Sequence, residues 1–198
     1  MTRLLLASQS STRRRMLEAA CVPFEAVAAP LDEESAKAGL LASGFEARDM
    51  AEMLAELKAK SVEAPADSLV LGADQTLERA DGAIIGKPGN LADARKQLLS
   101  LRGQEHKLHS GAVLVQGGER LWGTVETAAL TVRTFSETFL DDYLAREGEI
   151  ILGSAGAYRV EAFGAQLFSR IDGSHFAILG LPLLRLLEEL RRQGVLTS

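Results

Sequence analysis

The stretch "ASQSSTRRR" at positions 7–15 joins small hydroxyl side chains to three consecutive arginines. The apolar run before it, Leu4 to Ala7, predicts a strand, and the arginines open a predicted helix. A helix N-terminus binds anions through free N–H groups, and guanidinium groups suit phosphate oxygens. Ser8, Ser10, Arg13 and Arg14 are therefore candidate polyphosphate ligands. Ordinary hydroxyl caps and surface arginines explain the same residues about equally well.

A second candidate group begins at "LGADQ", where Asp74 directly follows a predicted strand at Ser68–Ala73. A carboxylate in that position can hold a divalent cation or take a proton from water. Lys87 lies further on in "IIGKPG", and the turn signal "ADG" could fold this segment back toward Asp74. The alternative is that Asp74 caps a turn and that Lys87 is a solvated loop residue.

Two further clusters are ambiguous on their own. Asp32, Glu33 and Glu34 are typical of a solvated helix start. They could also supply an oxygen ligand to Mg²⁺, which needs only one or two protein carboxylates. Lys58 and Lys60 fall on a predicted amphipathic helix, where lysines are normally surface residues.

The histidines and the cysteine offer little chemistry. His106, His109 and His175 lack metal-binding spacing and no nucleophile elbow is present, so we predict exposed or strand-edge histidines. The single cysteine, Cys21, lies in an apolar stretch and is predicted to be a buried, inert thiol. Any chemistry is then metal-assisted hydrolysis rather than covalent catalysis.

Alternating strand and helix patterns predict the elements that must position these residues, and hence an α/β fold. The long helix carries an apolar stripe at Met50, Met53, Leu54 and Leu57. Other helices are predicted to begin at Asn90, Ser136 and Pro182. The predicted strands are Leu4–Ala7, Ser68–Ala73, Leu108–Val115, Thr124–Thr134 and Ala165–Ile171. The third and fourth of these flank the polar turn "QGGER", which predicts a hairpin and therefore a mixed sheet.

Composition narrows the class of protein. At 198 residues, 46% hydrophobic and 25% charged, the chain reads as a globular protein with a sizeable core. The net charge of -5 argues against general nucleic-acid binding, and no apolar stretch is long enough to cross a membrane. One cysteine and an N-terminus unlike a secretory signal predict a cytoplasmic protein.

Five motifs in order, from Leu4 to about Leu190, resemble those of the Maf family of nucleoside triphosphate pyrophosphatases: "LASQSSTRRRML", "LGADQTL", "IIGKPGN", "SAGAYRVEAFGA" and "IDGSHFAILGLPLLRLLEEL". The resemblance implies one Maf-like domain over residues 1–198, with an elongated, two-lobed fold similar to inosine triphosphatases. Its mixed, twisted sheet would surround a central cleft. It also implies hydrolysis of a nucleoside triphosphate to the monophosphate and pyrophosphate, with Mg²⁺ or Mn²⁺, by a cytoplasmic homodimer.

The resemblance also implies roles for individual residues. Glu33 and Asp74 would bind the metal, and Asp74 would activate water. The residues that would bind the substrate are Ser8, Arg13, Arg14, Lys58, Gln75, Lys87 and Glu161.

Two positions bear on the choice of nucleobase. Gln75 after Asp74, and Glu161, resemble the 7-methyl-GTP branch more than the dTTP/UTP branch, although the Trp of that branch's first motif is missing. A carboxylate at Glu161 can accept from the N–H edge of guanine. The alternatives are a dTTP/UTP pyrophosphatase, a related inosine-triphosphate enzyme, a non-catalytic nucleotide-binding regulator linked to cell division, and an RNA-binding module that uses the arginine run.

Overall fold

The computed structural model describes residues 2–197. The chain divides into two compact units: unit 1 comprises Met1–Gln75, His109–Thr127 and Ser174–Ser198, and unit 2 comprises Thr76–Leu108 and Ala128–Gly173. The strands are β1 (Leu4–Ala7), β2 (Glu25–Val27), β3 (Leu69–Arg79), β4 (Ile84–Ile85), β5 (Glu105–Gln116), β6 (Glu119–Val132) and β7 (Phe168–Asp172). The α-helices are α1 (Ser11–Ala19), α2 (Glu33–Ala42), α3 (Ala47–Lys60), α4 (Leu91–Leu101), α5 (Glu137–Glu147), α6 (His175–Ile178) and α7 (Leu183–Arg192).

The strands follow the order β2-β1-β3-β5-β6-β7, with β4 paired to β3. β1 is parallel to both β2 and β3, whereas β4 on β3 and β7 on β6 are antiparallel. Gly117 and Gly118, both at positive φ, form the two-residue turn between β5 and β6. The predictions of an α/β fold, a mixed sheet and this hairpin are confirmed.

In unit 1 the two faces of the sheet carry different helices. Successive side chains of a strand point to opposite faces of the sheet. Val70 belongs to a cluster with Ala55 and Ala59 of α3. Leu71, one residue on, belongs to the cluster that contains Leu17 of α1 and residues of α7. By the same alternation Asp74 projects on the α3 face and Gln75 on the opposite face.

Two glycines bring α3 directly onto the backbone of the sheet. A Cβ added at Gly72 of β3 would lie 1.9 Å from the Ala55 carbonyl oxygen, and one at Gly111 of β5 would lie 2.5 Å from that of Ala51. Neither distance is compatible with a side chain, so both positions require glycine for close approach.

Gly72→Ala is expected to lower the free energy of unfolding by about 1–3 kcal/mol or more, because the added methyl group must push α3 away from the sheet. Gly39→Ala in α2 is the matched control, since nothing lies within 4 Å of its added Cβ. That control should gain about 0.5–1 kcal/mol of helix stability. Urea unfolding measures both changes, and a Gly72→Ala variant as stable as the wild type would contradict the packing described.

Unit 2 contains a buried histidine within an aromatic cluster. His106 is 1% exposed, its Nε2 lies 2.6 Å from the Tyr158 hydroxyl, and its Nδ1 has no hydrogen-bond partner among residues 2–197. Burial lowers the pKa of His106 to about 4. The prediction of exposed or edge histidines is therefore wrong for His106 and for His109, which is 4% exposed, and right for His175.

The depressed pKa of His106 predicts an acid-labile core. In the unfolded chain the ring takes up a proton as pH falls through about 6.5, while in the folded chain it stays neutral until about 4. Stability present above pH 6.5 is therefore lost between these values, by up to about 1.4 kcal/mol per pH unit. His106→Gln should flatten this dependence in urea unfolding, whereas His175→Gln at an exposed position should not. Identical pH profiles for the wild type and His106→Gln would contradict it.

Several element boundaries differ from those predicted. β3 continues through Asp74 to Arg79, so this carboxylate lies within a strand and not at its tip. The predicted strand Ala165–Ile171 is split between a 3₁₀ segment, Phe163–Leu167, and β7. Cys21 is exposed and adopts a positive φ of 52° just after α1, so the prediction of a buried thiol is wrong.

The remaining helix starts agree with the sequence. Asn90 and Ser136 cap α4 and α5 with their side chains, and Pro182 precedes α7. Among the described residues, no helix combines the length and apolar character that a membrane span requires.

Candidate functional site

The start of α1 in unit 1 forms a compact polar cluster. The Ser10 side chain caps the helix by accepting from the Arg13 backbone N–H at 3.3 Å. Ser8 Oγ accepts from the Ser10 N–H at 3.2 Å and from Arg13 Nη1 at 3.4 Å. No acidic residue lies in the first turn of the helix to offset its positive end. The cluster therefore has the polarity of an anion site.

Arg13 is buried although it is a cation. Only 8% of the residue is exposed, and its guanidinium makes no ion pair with any residue from 2 to 197. Its Nε donates to the Gly180 carbonyl oxygen at 2.8 Å. Burial lowers the pKa of Arg13, and the negative charges of Asp74 and Glu33 partly oppose this shift. Burying a charge that is only partly compensated is costly, and a bound anion would offset that cost.

Lys58 binds two carboxylates on the α3 face of unit 1. Its Nζ lies 2.5 Å from Asp74 Oδ1 and 3.1 Å from Glu33 Oε1. The side chains of Lys58 and Asp74 are only 7% and 8% exposed, whereas that of Glu33 is 44% exposed. Asp32 caps α2 through the Ser35 N–H, so Glu33 occupies the first helical position. The structure thus brings Glu33, Lys58 and Asp74 together.

One oxygen of this cluster remains without a partner. Asp74 Oδ2 is buried and accepts no hydrogen bond from residues 2–197. Those residues contain no group of three or more His, Cys, Asp and Glu side chains arranged around a metal. Two carboxylates with one orphan oxygen still fit Mg²⁺ or Mn²⁺, which complete their coordination with water and substrate phosphates. Glu33 and Asp74 are the residues that would hold the cation.

The neighbouring Gln75 is held from the opposite face of the sheet. Its Nε2 lies 2.9 Å from Ser110 Oγ, 3.0 Å from the Ala177 carbonyl oxygen and 3.1 Å from that of Ile178. These contacts tie β3 to β5 and α6 within unit 1.

The other candidate residues are more exposed. Arg14 lies on the surface of α1 next to Arg15, so only two members of the arginine run could reach an RNA backbone. Lys87 and Glu161 belong to unit 2: Lys87 is exposed just after β4, which does fold back onto β3, and Glu161 is exposed before the second 3₁₀ segment. Their roles remain predictions.

Two residues that contact the candidate residues were not predicted from the sequence: Gly180, which contacts Arg13, and Ser110, which contacts Gln75. The Gly180 carbonyl holds Arg13, and a backbone group has no signature in the sequence. Ser110 is fully buried in an apolar strand, "HSGAVLV", where a lone hydroxyl was a usable signal.

A parallel strand leading into a capped helix, with buried cations beside a buried carboxylate, defines a class of anion-binding α/β proteins. The chain belongs to the Maf-like protein family, whose family model matches residues 3–193. The resemblance read from the five motifs is thereby confirmed.

Similar proteins cover nearly the whole chain. One is named nucleoside triphosphate pyrophosphatase, from Caulobacter vibrioides, and is 51% identical over 100% of this chain and 98% of its own length. Another of that name, from Granulibacter bethesdensis, is 48% identical over 98% and 99%. A protein from Rhizobium meliloti named 7-methyl-GTP pyrophosphatase is 46% identical over 98% of each. Among solved structures, a HAM1 protein from Coxiella burnetii is similar at a TM-score of 0.42 and 16% identity, over 67% of this chain and 73% of that one.

Proposed function

We propose that this chain hydrolyses nucleoside 5′-triphosphates to the monophosphate and pyrophosphate. The observation that carries the proposal is a pair of buried cations, Arg13 and Lys58, in the same unit as a buried Asp74 with an unpartnered oxygen. The two cations can bind a polyphosphate, and the unpartnered carboxylate oxygen can bind a divalent cation. Relatives of 45–51% identity that bear the pyrophosphatase name support the same activity.

In the proposed reaction a water oxygen attacks the α-phosphorus, and the bond from that phosphorus to the oxygen bridging to the β-phosphorus breaks. Asp74 orients the water and accepts its proton, while Arg13, Arg14 and Lys58 bind the phosphate oxygens. Glu33 and Asp74 would hold a divalent cation, which would supply further neutralisation of phosphate charge. Positioning and charge neutralisation suffice for this chemistry, so no nucleophilic side chain is needed.

For the substrate we propose a purine nucleotide of the guanine type, such as 7-methyl-GTP. Support comes from the side chain of Glu161, which as an acceptor complements the N1–H and N2–H₂ edge of guanine better than the edge of uracil. The relatives bear both the general and the 7-methyl-GTP name, which is consistent with this choice.

The test is to incubate the purified protein with Mg²⁺ or Mn²⁺ and a panel of canonical and methylated nucleoside triphosphates in ¹⁸O-labelled water. We expect equal amounts of pyrophosphate and monophosphate, with the label in the monophosphate because the α-phosphorus is attacked. Nucleotide binding without pyrophosphate release would instead indicate the non-catalytic regulator. A clear preference for dTTP would refute the guanine proposal and leave the chemistry intact.

A further inference from the structure

The Ala177 carbonyl oxygen is a junction of hydrogen bonds in unit 1. It accepts from Ser110 Oγ at 2.6 Å, from Gln75 Nε2 at 3.0 Å and from the Gly180 backbone N–H at 2.9 Å. A carbonyl oxygen has two lone pairs, so it usually accepts hydrogen bonds from fewer than three donors. Side chains from β3 and β5 therefore converge on the backbone group that also fixes Gly180.

The direction of each bond in this junction is determined. Ser110 donates its single hydroxyl proton to Ala177, so it can only accept from the Gln75 amide. If the Gln75 amide were reversed, its oxygen would face the carbonyl oxygens of Ala177 and Ile178, which is repulsive. Its amide hydrogens are thus engaged inside the protein in the nucleotide-free structure.

The junction leads directly to the buried arginine. Gly180 donates its N–H to Ala177, and its own carbonyl oxygen accepts from Arg13 Nε at 2.8 Å. Gly180 has a φ of +98°, which L side chains rarely adopt, and a Cβ there would lie 3.4 Å from Arg13 Nη2. A single residue, Gly180, thus connects the Ala177 junction to the guanidinium through its N–H and its carbonyl oxygen.

We infer that Ser110 and Gln75 are positioning residues for Arg13. They hold the Ala177 carbonyl, which fixes Gly180, and Gly180 sets the direction in which the guanidinium presents its Nη atoms. The inference rests on the proposed function, because it takes Arg13 to bind the triphosphate. It gives Gln75 a role different from the direct substrate contact that the sequence resemblance implies.

The test uses a ligand without a base. Inorganic tripolyphosphate is titrated calorimetrically into the wild type, Ser110→Ala and Gln75→Met, and kcat and KM are measured for GTP and UTP. Because one or two hydrogen bonds are lost, we expect each variant to bind tripolyphosphate about tenfold more weakly. The KM values for GTP and UTP should rise by the same factor, so the ratio of their kcat/KM values stays constant.

A double-mutant cycle links the effect to Arg13. In an Arg13→Lys background, which lacks the Nε donor, Ser110→Ala and Gln75→Met should have no further effect on tripolyphosphate affinity. A purely structural defect would instead add to the loss. Ser100→Ala is the matched control, since the Ser100 hydroxyl donates to the Gln97 carbonyl oxygen at 2.7 Å in unit 2, and it should leave the affinity unchanged.

Two results would overturn the inference. One is a changed GTP/UTP ratio in Gln75→Met with unaltered tripolyphosphate affinity, which would make Gln75 a reader of the base. The other is an undiminished effect in the Arg13→Lys background. If Ser110→Ala fails to fold, Ser110→Cys and Gln75→Met carry the same comparison. A wild type that binds tripolyphosphate but releases no pyrophosphate would refute the proposed function, and the titrations would still decide the positioning role.

Discussion

Asp74→Asn is expected to turn over nucleoside triphosphate about 10²- to 10⁴-fold more slowly than the wild type, because the amide cannot accept a proton from the attacking water. Asparagine has the same shape, and its oxygen can still accept from Lys58, which lies 2.5 Å from Asp74 Oδ1. Nucleotide should therefore still bind. Single-turnover pyrophosphate release gives the rate, and calorimetric titration gives the nucleotide affinity.

Asp67→Asn is the control for this substitution. Asp67 is exposed in the turn before β3, in the same unit, and the change removes the same charge from the protein. Its turnover should equal that of the wild type. Wild-type turnover in Asp74→Asn would remove this residue from the role of base, and equal losses in the two variants would point to net charge as the cause.

The second large effect is expected for Lys58→Met, which should abolish most turnover and yet increase the affinity of the nucleotide-free protein for Mn²⁺. In the structure the ammonium group contacts both Glu33 and Asp74. A divalent cation held by these carboxylates must therefore compete with Lys58. Removing the ammonium also leaves two carboxylates close together, which should cost about 3–5 kcal/mol of stability without metal.

Thermal unfolding with and without Mn²⁺ measures this competition, since a ligand that binds only the folded state raises its melting temperature. Mn²⁺ should raise the melting temperature of Lys58→Met more than that of the wild type. Lys60→Met is the matched control on the same helix, because Lys60 pairs with Glu56 at the surface, 2.7 Å away. An Mn²⁺ response in Lys58→Met no greater than that of the wild type would argue that the carboxylates do not bind the cation.

The spacing of apolar residues predicts α3, the helix that supplies Lys58, but not the face on which this helix packs against the glycines. Its existence and extent follow from the apolar stripe, but Met53 and Leu57 of that stripe are only half-buried. The fully buried face contains Ala51 and Ala55, and Lys58 follows them at the next helical step. Counting large apolar residues therefore missed the face on which α3 packs against glycine. The sequence feature that indicates this face is the placement of Lys58 on the same side of the helix as Ala51 and Ala55.

Other features of the site have no local signal. Glycine and aspartate are both disfavoured within strands, so Gly72 and Asp74 suggest that the strand ends near them. β3 nevertheless continues past both residues, because β1 pairs with it up to Gly72 and β4 pairs with it further on. The contact between Arg13 and Gly180 joins residues 167 positions apart and uses only a backbone oxygen. Tertiary contacts of this kind follow from the assembled fold.

The direct contact between α3 and the backbone of Gly72 and Gly111 also limits which substitutions such a protein can accept during evolution. Most cores adjust the spacing of their layers by exchanging one side chain for another of different size. Here the carbonyl oxygens of Ala51 and Ala55 face Gly111 and Gly72 with no intervening side-chain layer. The distance between the backbone of α3, which carries Lys58, and that of β3, which carries Asp74, is therefore set by main-chain dimensions, and substitutions of core side chains cannot gradually change it.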